Sequence, residues 1–231
     1  MADWQSMLID LHTHTYPLSD DSALSPDELA AAAKEAGLDG LCLTEHDRFW
    51  DANEAAELSR RHGLLVLPGC EVTTEEGHLL VFGLKEYAFG MHRVAFVKRL
   101  VDEAGGAVVV AHPYRRTALD EPAVEQARRS LLYQFAHAVE VGNSRGTERQ
   151  RSFANAVAGR VGLPATGASD AHRREDIGAF ATEFTRQLST LDDFIKELRA
   201  GRFQPVKLRE KAQPEEPAPA ASGKPWEAIN S

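Results

Sequence analysis

Short apolar runs alternate with longer amphipathic stretches along most of this chain, and that alternation points to an α/β fold in which helical crossovers join strands of a parallel sheet. The runs fall at residues 7–11, 40–43, 64–70, 78–82, 107–111, 138–141 and 164–167, with a further extended piece at 180–184. Helical patterns occupy residues 26–36, 51–61, 91–103, 121–131, 147–159 and 191–200. The first of these carries a full set of boundary signals: Ser25 to cap it, Pro26 at its first position, Glu28 to complete a capping box, and Gly37 to end it. The last places Leu191, Phe194, Ile195 and Leu198 on one face between Thr190 and Gly201. Beyond Phe203 the pattern stops, and five of the 11 prolines lie at or after Pro205. One domain over residues 1–205 and a disordered tail over 206–231 are therefore expected, with Trp226 a solitary tail aromatic.

Charge and cysteine content narrow the chemistry. Twenty-six basic and 35 acidic residues give a formal charge of -9, which opposes capture of long nucleic acid or an anionic membrane. Cys42 and Cys70 are too few for a disulfide scaffold and read as small core residues. No apolar run approaches the roughly 20 residues that span a bilayer, and MADWQSMLID lacks a secretory pattern, so a cytoplasmic protein is expected.

Nine histidines remain to be explained, and six lie at or near the ends of expected strands. In DLHTHT, Asp10, His12 and His14 alternate so that all three project to one side of a strand. Two imidazoles so placed can hold one metal ion, with Asp10 able to orient a ring from behind. TEHD ends the second strand with Glu45, His46 and Asp47; GCEVTTEEGH brings Glu71 and then His78; VVVA leads into His112, Pro113, Tyr114 and Arg115. Glu140 ends a further strand with Asn143 and Arg145 close behind, and GASDAH supplies Asp170 and His172. Each alone reads most simply as a hydrogen-bonded structural residue, as do His62, His92 and His137. Imidazoles and carboxylates gathered at one mouth, however, call for a metal, since uncompensated acids there would repel one another.

Taken together, DLHTHT, SDDSALSPDEL, LTEHD, GCEVTTEEGH, AHPYR and GASDAH resemble the motifs of the PHP (polymerase and histidinol phosphatase) superfamily, in the family's order and across the whole chain before the tail. The resemblance implies a distorted seven-stranded (βα)7 TIM-like barrel with three divalent metal ions at its C-terminal mouth, manganese, iron or zinc. It implies His12, His14, Glu71 and Asp170 around the first ion, and Glu71, His78 and His112 around the second. The third would take His46, His172 and either Asp20 or Asp21. Glu45 stands where many relatives have an aspartate, a change beside His46 that need not remove a ligand. Metal ions sharing a carboxylate acidify water and neutralise phosphate oxygens, so phosphate-ester hydrolysis is the expected chemistry. Glu71, His112, Asp170 and Arg115 form the expected catalytic set, with Arg115, Arg145 and Arg173 as phosphate contacts. A small phosphorylated substrate, nucleotides included, is expected, in an oligomeric state the residues leave open. Narrower readings are a histidinol-phosphate phosphatase or a nucleotide-trimming exonuclease; the reading from another class is a noncatalytic metal-stabilised scaffold.

Overall fold

The computed structural model describes residues 6–115 and 117–209, so Trp226 and residues 210–231 of the expected tail lie outside it. In chain order the elements are β1 (Met7–Thr13), α1 (Pro26–Glu35), β2 (Gly40–Leu43), α2 (Ala52–His62), β3 (Leu65–Pro68) and β4 (Cys70–Thr73). Next come β5 (His78–Phe82), α3 (Val94–Ala104), β6 (Ala107–Ala111), α4 (Glu121–Ala127), α5 (Leu131–Phe135) and β7 (Ala138–Asn143). The last are α6 (Glu148–Val161), β8 (Ala165–Ala168), β9 (Phe180–Phe184), α7 (Leu191–Ala200) and β10 (Phe203–Lys207). Helix α1 starts on the expected capping box: Ser25 Oγ accepts from Glu28 N at 3.3 Å while Glu28 Oε2 accepts from Ser25 N at 2.8 Å. Thr190 Oγ1 caps α7 by accepting from Asp193 N at 3.1 Å.

The strands form two five-stranded sheets, in the orders β10-β9-β1-β2-β3 and β4-β5-β6-β7-β8, where a single ring was expected. Parallel pairs β1–β2, β2–β3, β6–β7 and β7–β8 follow the crossover pattern, but β4–β5, β5–β6, β1–β9 and β9–β10 are antiparallel. The β4–β5 reversal has a simple cause: the turn from Thr73 to His78 is too short for a crossover, so a hairpin forms. Isolated parallel bridges, Thr13 to Ala171 and His46 to Glu71, link the two sheets at the mouth.

Several boundaries differ from expectation, three of them with a clear structural cause. The run 64–70 is two strands, because Gly69 breaks it where a Cβ would lie 2.6 Å from Phe82 Cε1, and the chain there passes from one sheet to the other. The helix expected over 121–131 is α4 and α5, the second newly capped by Ser130 Oγ, which accepts from Leu132 N at 3.2 Å. Strand β10 crosses the boundary expected at 205, with Pro205 opposite Thr182; β10 is an edge strand, where a missing N–H can be tolerated.

Between the sheets lies an apolar core containing Ile9, Leu80, Phe82, Val109, Phe184 and Leu198. Helix α7 seals one end: Phe194 is fully buried, its ring 4.9 Å from Phe82 and 5.5 Å from Phe184. Met7, Ala107 and Ala138, the first residues of β1, β6 and β7, join this plug, so it sits at the opposite end of those strands from the residues that end them. Helices α1 and α2 cover the first sheet, while α3, α4 and α6 cover the second. No helix among the described residues is long and apolar enough to cross a membrane.

Candidate metal centre

At the unplugged end, seven segments converge. Strand β1 brings His12 and His14, the loop after it Asp21, the end of β2 His46, β4 Glu71 and β5 His78, while His112 and Asp170 follow β6 and β8. Glu71 is the centre of the arrangement. Its Oε2 lies 3.3 Å from Nε2 of both His12 and His14 and 2.9 Å from His46 Nδ1, and its Oε1 lies 2.7 Å from His78 Nδ1 and 2.8 Å from His112 Nε2. Opposite it, Asp170 Oδ1 is 3.6 Å from His12 Nε2 and 3.4 Å from His14 Nε2. Asp21 Oδ2 approaches His172 Nε2 to 3.0 Å and His46 Nε2 to 3.4 Å, so of the two acids left open by the sequence, Asp21 is the one that faces these rings. Four overlapping groups can each offer donor atoms within 4.8 Å of one another: His12–His14–Glu71, His12–His112–Asp170, Glu71–His78–His112 and His14–His46–His172.

The donor set fits metal. His12 Nε2, His14 Nε2, His78 Nε2, Glu71 Oε2 and Asp170 Oδ1 are buried without a hydrogen-bond partner, a cost that a bound cation would remove. The ring tautomers agree. Glu140 Oε1 lies 3.0 Å from His12 Nδ1, which must therefore carry the proton and leave the Nε2 lone pair facing inward. Ser19 Oγ donates to Glu45 Oε2 at 2.6 Å, so at 3.2 Å it accepts from His14 Nδ1, again freeing Nε2.

Electrostatics lead to the same conclusion. Asp10, Glu71, Glu140 and Asp170 are all fully buried. Burial pushes Glu71 and Asp170 upward, yet the surrounding imidazoles, His12 foremost, hold both well below the usual carboxylate range. Burial would lower His12, but Asp170, Glu71 and Glu140 raise it well above an ordinary imidazole, whereas burial pushes His14 down to about 4. The cavity is thus short of positive charge, and a proton on His12 stands where a cation would serve better.

Behind the donors stand residues whose role the sequence did not reveal. Glu140 accepts from the His12 ring and, at 2.7 Å through Oε2, from His112 N. Asp10, expected to orient a ring, instead holds backbone: its Oδ1 accepts from His12 N at 3.2 Å and Ser169 N at 2.9 Å. Glu45 accepts from Thr15 N at 2.9 Å, Ser19 Oγ at 2.6 Å and Trp50 Nε1 at 2.9 Å, and so braces the loop after β1. Asp47, His112 and Asp170 hold left-handed φ values of 52°, 24° and 53°, each costing about 1–3 kcal/mol and each lying where the chain leaves a strand for the mouth.

Of the three arginines, two reach the centre. Arg115 Nη2 donates to Asp170 Oδ2, and Arg145 Nη1 lies 4.0 Å from Asp170 Oδ1 and 2.7 Å from His172 Nδ1. That nitrogen is also 2.9 Å from the Asp170 carbonyl; the carbonyl requires N–H and the guanidinium a lone pair, so the two compete. Arg173 does not reach: its side chain is 73% exposed and meets Glu175 at 4.0 Å, because the short 3-10 turn after His172 aims it outward. The other histidines serve elsewhere, His62 against Asp27 Oδ1 at 2.7 Å and His137 accepting from Val108 N at 3.1 Å.

Known proteins share this sequence pattern and fold. The PHP domain model matches residues 10–141, and the PHP-associated model matches residues 148–203. Over 121 residues the chain is 27% identical to an uncharacterized protein of Methanocaldococcus jannaschii, spanning 47% of this chain and 68% of that protein. The crystal structure of PsfC from Pseudomonas syringae PB-5123 is similar at 21% identity and a TM-score of 0.64, over 88% of this chain and 92% of that one. So is a two-domain protein from Bacteroides vulgatus ATCC 8482 containing a predicted PHP-like metal-dependent phosphoesterase, at 18% identity and a TM-score of 0.63, over 90% of this chain and 66% of that one. At these identities the two structures speak for the fold.

Proposed function

The chain belongs to the PHP domain family, and from that premise we propose that it hydrolyses phosphate esters at a centre of three divalent metal ions. The observation that carries this reading is the set of buried, partnerless donor atoms on His12, His14, His78, Glu71 and Asp170, residues that belong to overlapping groups able to bring donor atoms within 4.8 Å of one another. His12, His14, Glu71 and Asp170 would hold one ion, Glu71, His78 and His112 a second, and Asp21, His46 and His172 a third. When bound, such ions neutralise phosphate oxygens and acidify water. The two bridged sheets are read as an opened form of the expected barrel.

The chain's own residues do the rest. Glu71 offers both oxygens to the imidazoles around it and so keeps two groups of donors in register. Asp170 holds Arg115, whose guanidinium brings a planar pair of donors to the edge of the cavity, the geometry that suits a phosphate. Arg145 adds a second cation from the loop after β7. His112, pinned through its backbone N by Glu140, is fixed against Glu71 rather than free to rotate.

Elemental analysis of the purified protein, combined with a phosphate-release screen over mononucleotides, nucleoside bisphosphates, histidinol phosphate and short oligonucleotides, tests the reading. Bound divalent metal and metal-dependent release from at least one ester are expected. Protein that keeps its metal and releases nothing would favour the metal-stabilised scaffold and overturn the reading.

A further inference from the structure

Beside the metal centre a cavity of about 410 Å³ opens between the β4–β5 turn, the segment after β6 and helices α4 to α6, a size at the lower end of small-molecule pockets. Two of its walls are continuous with donor-bearing segments: Pro113 and Arg115 follow His112, while Glu75 and Glu76 precede His78 by a few residues. Arg115 belongs to both places, lining the cavity and bonding Asp170.

The lining has a definite chemistry. Ala127, Phe153 and Val157 are buried and present an apolar inner wall, with the half-buried Tyr133 ring beside them. Burial first, and Glu76 second, push the Tyr133 hydroxyl up to about 12, so this wall carries no charge at neutral pH. Glu75 and Glu76 stand exposed at the outer lip, the second accepting a hydrogen bond from Ser130 Oγ. Among the described lining residues Arg115 is the one cation, and it is committed to the centre; Arg128 and Arg129, just past α4, line a neighbouring groove that Glu76 and Ser130 also border.

We propose that this cavity receives the alcohol portion of a phosphate monoester, and that the alcohol is an apolar or aromatic body whose far end is cationic or uncharged, not one bearing a second anionic group. The inference rests on the phosphoesterase reading: with the phosphate held at Arg115 and the donor set, the ester oxygen faces the cavity. Water oxygen bonds to phosphorus, the ester P–O bond breaks, and the alcohol leaves with a proton as inorganic phosphate is formed. The apolar wall then rewards an aryl or alkyl body, and the carboxylate lip selects the sign of what lies beyond it.

The test uses the full, manganese-loaded protein and four esters: 2-phenylethyl phosphate, its para-aminomethyl and para-carboxymethyl derivatives, and glycerol phosphate. The aminomethyl ester should exceed the carboxymethyl ester in kcat/KM by about fivefold or more, and glycerol phosphate should fall about tenfold below the phenylethyl ester. Glu76→Lys, an exposed change outside the donor set, should shift the charged pair's ranking toward the carboxymethyl ester. Binding is read separately with the phosphate-free aminomethyl alcohol, which should shift the Val157 methyl resonances saturably while its carboxymethyl counterpart does not. Equal kcat/KM for the three aryl esters, a ranking untouched by Glu76→Lys, or hydrolysis of glycerol phosphate without any alcohol binding overturns the cavity assignment. Alcohol binding as expected with no phosphate released from any ester would instead count against the phosphoesterase reading and leave the cavity's preference standing.

Discussion

The same strands are finished in opposite ways at their two ends. Where β1, β6 and β7 begin, Met7, Ala107 and Ala138 close on Phe82, Phe184 and Phe194 in a cluster of apolar side chains. Where strands end, His12, His14, Glu71 and Asp170 are just as deeply buried but keep atoms with no partner. The difference teaches where each kind of free energy resides. Apolar burial at the plug is a stabilising contribution, whereas the clustered carboxylates and left-handed backbone of the mouth are costs that the rest of the fold offsets.

The strongest way to break this division is to exchange the two effects. Glu71→Gln removes the charge that five imidazoles share. Metal content should fall and phosphate release should drop by more than about 100-fold, while the metal-free protein remains folded by circular dichroism. Full metal and undiminished turnover would sink the central role of Glu71. Phe194→Ala should do the reverse. Emptying the space between Phe82 and Phe184 should cost about 3–5 kcal/mol in urea unfolding, with metal bound per folded molecule unchanged. A loss of metal in that variant would show that plug and mouth are mechanically coupled.

How much of this was legible in the chain follows the same division. Caps such as Ser25–Glu28 and the donors at strand ends could be read because both depend on residues close in sequence. Sheet partition could not, because it turns on Gly69 passing against Phe82, a contact made only in three dimensions. Strand β10 was hidden by Pro205, which reads as a breaker until its place at an edge is known. Glu140 looked like any other strand-end acid; what separates it from a donor is that it faces the outer nitrogen of His12, which no spacing rule reports. Arg173 shows the converse, since adjacency to His172 does not place its side chain, which lies exposed beside Glu175.

Glu140 offers a finer cut through the mouth itself. In Glu140→Gln the amide can present N–H to His12 Nδ1, favouring the tautomer whose proton sits on Nε2 and occupies the lone pair needed inside. Manganese affinity, measured calorimetrically, should weaken by about 10–100-fold, and imidazole nitrogen shifts should report the change of tautomer without metal present. Unchanged shifts together with unchanged affinity would reduce Glu140 to a packing role.

The smallest effect probes a histidine that the mouth does not use. His137, just ahead of β7, accepts from Val108 N at 3.1 Å, so this bond needs the neutral ring. Burial, and then Arg199, lower its pKa below the ordinary imidazole value of 6.5. A histidine lowered in the folded state binds its proton more readily when unfolded. Its contribution is therefore complete above pH 6.5 and is lost as pH falls through that value toward the folded one. His137→Asn keeps an acceptor without a titration. The difference between the two proteins' unfolding free energies from urea titration should accordingly shift by about 1 kcal/mol or less between pH 7 and pH 5, the native protein losing more. Because both proteins carry the same six histidines at the mouth, their protonation cancels in that difference; a flat difference would mean that His137 is neutral in neither state's favour and that the plug end carries no pH dependence through this ring.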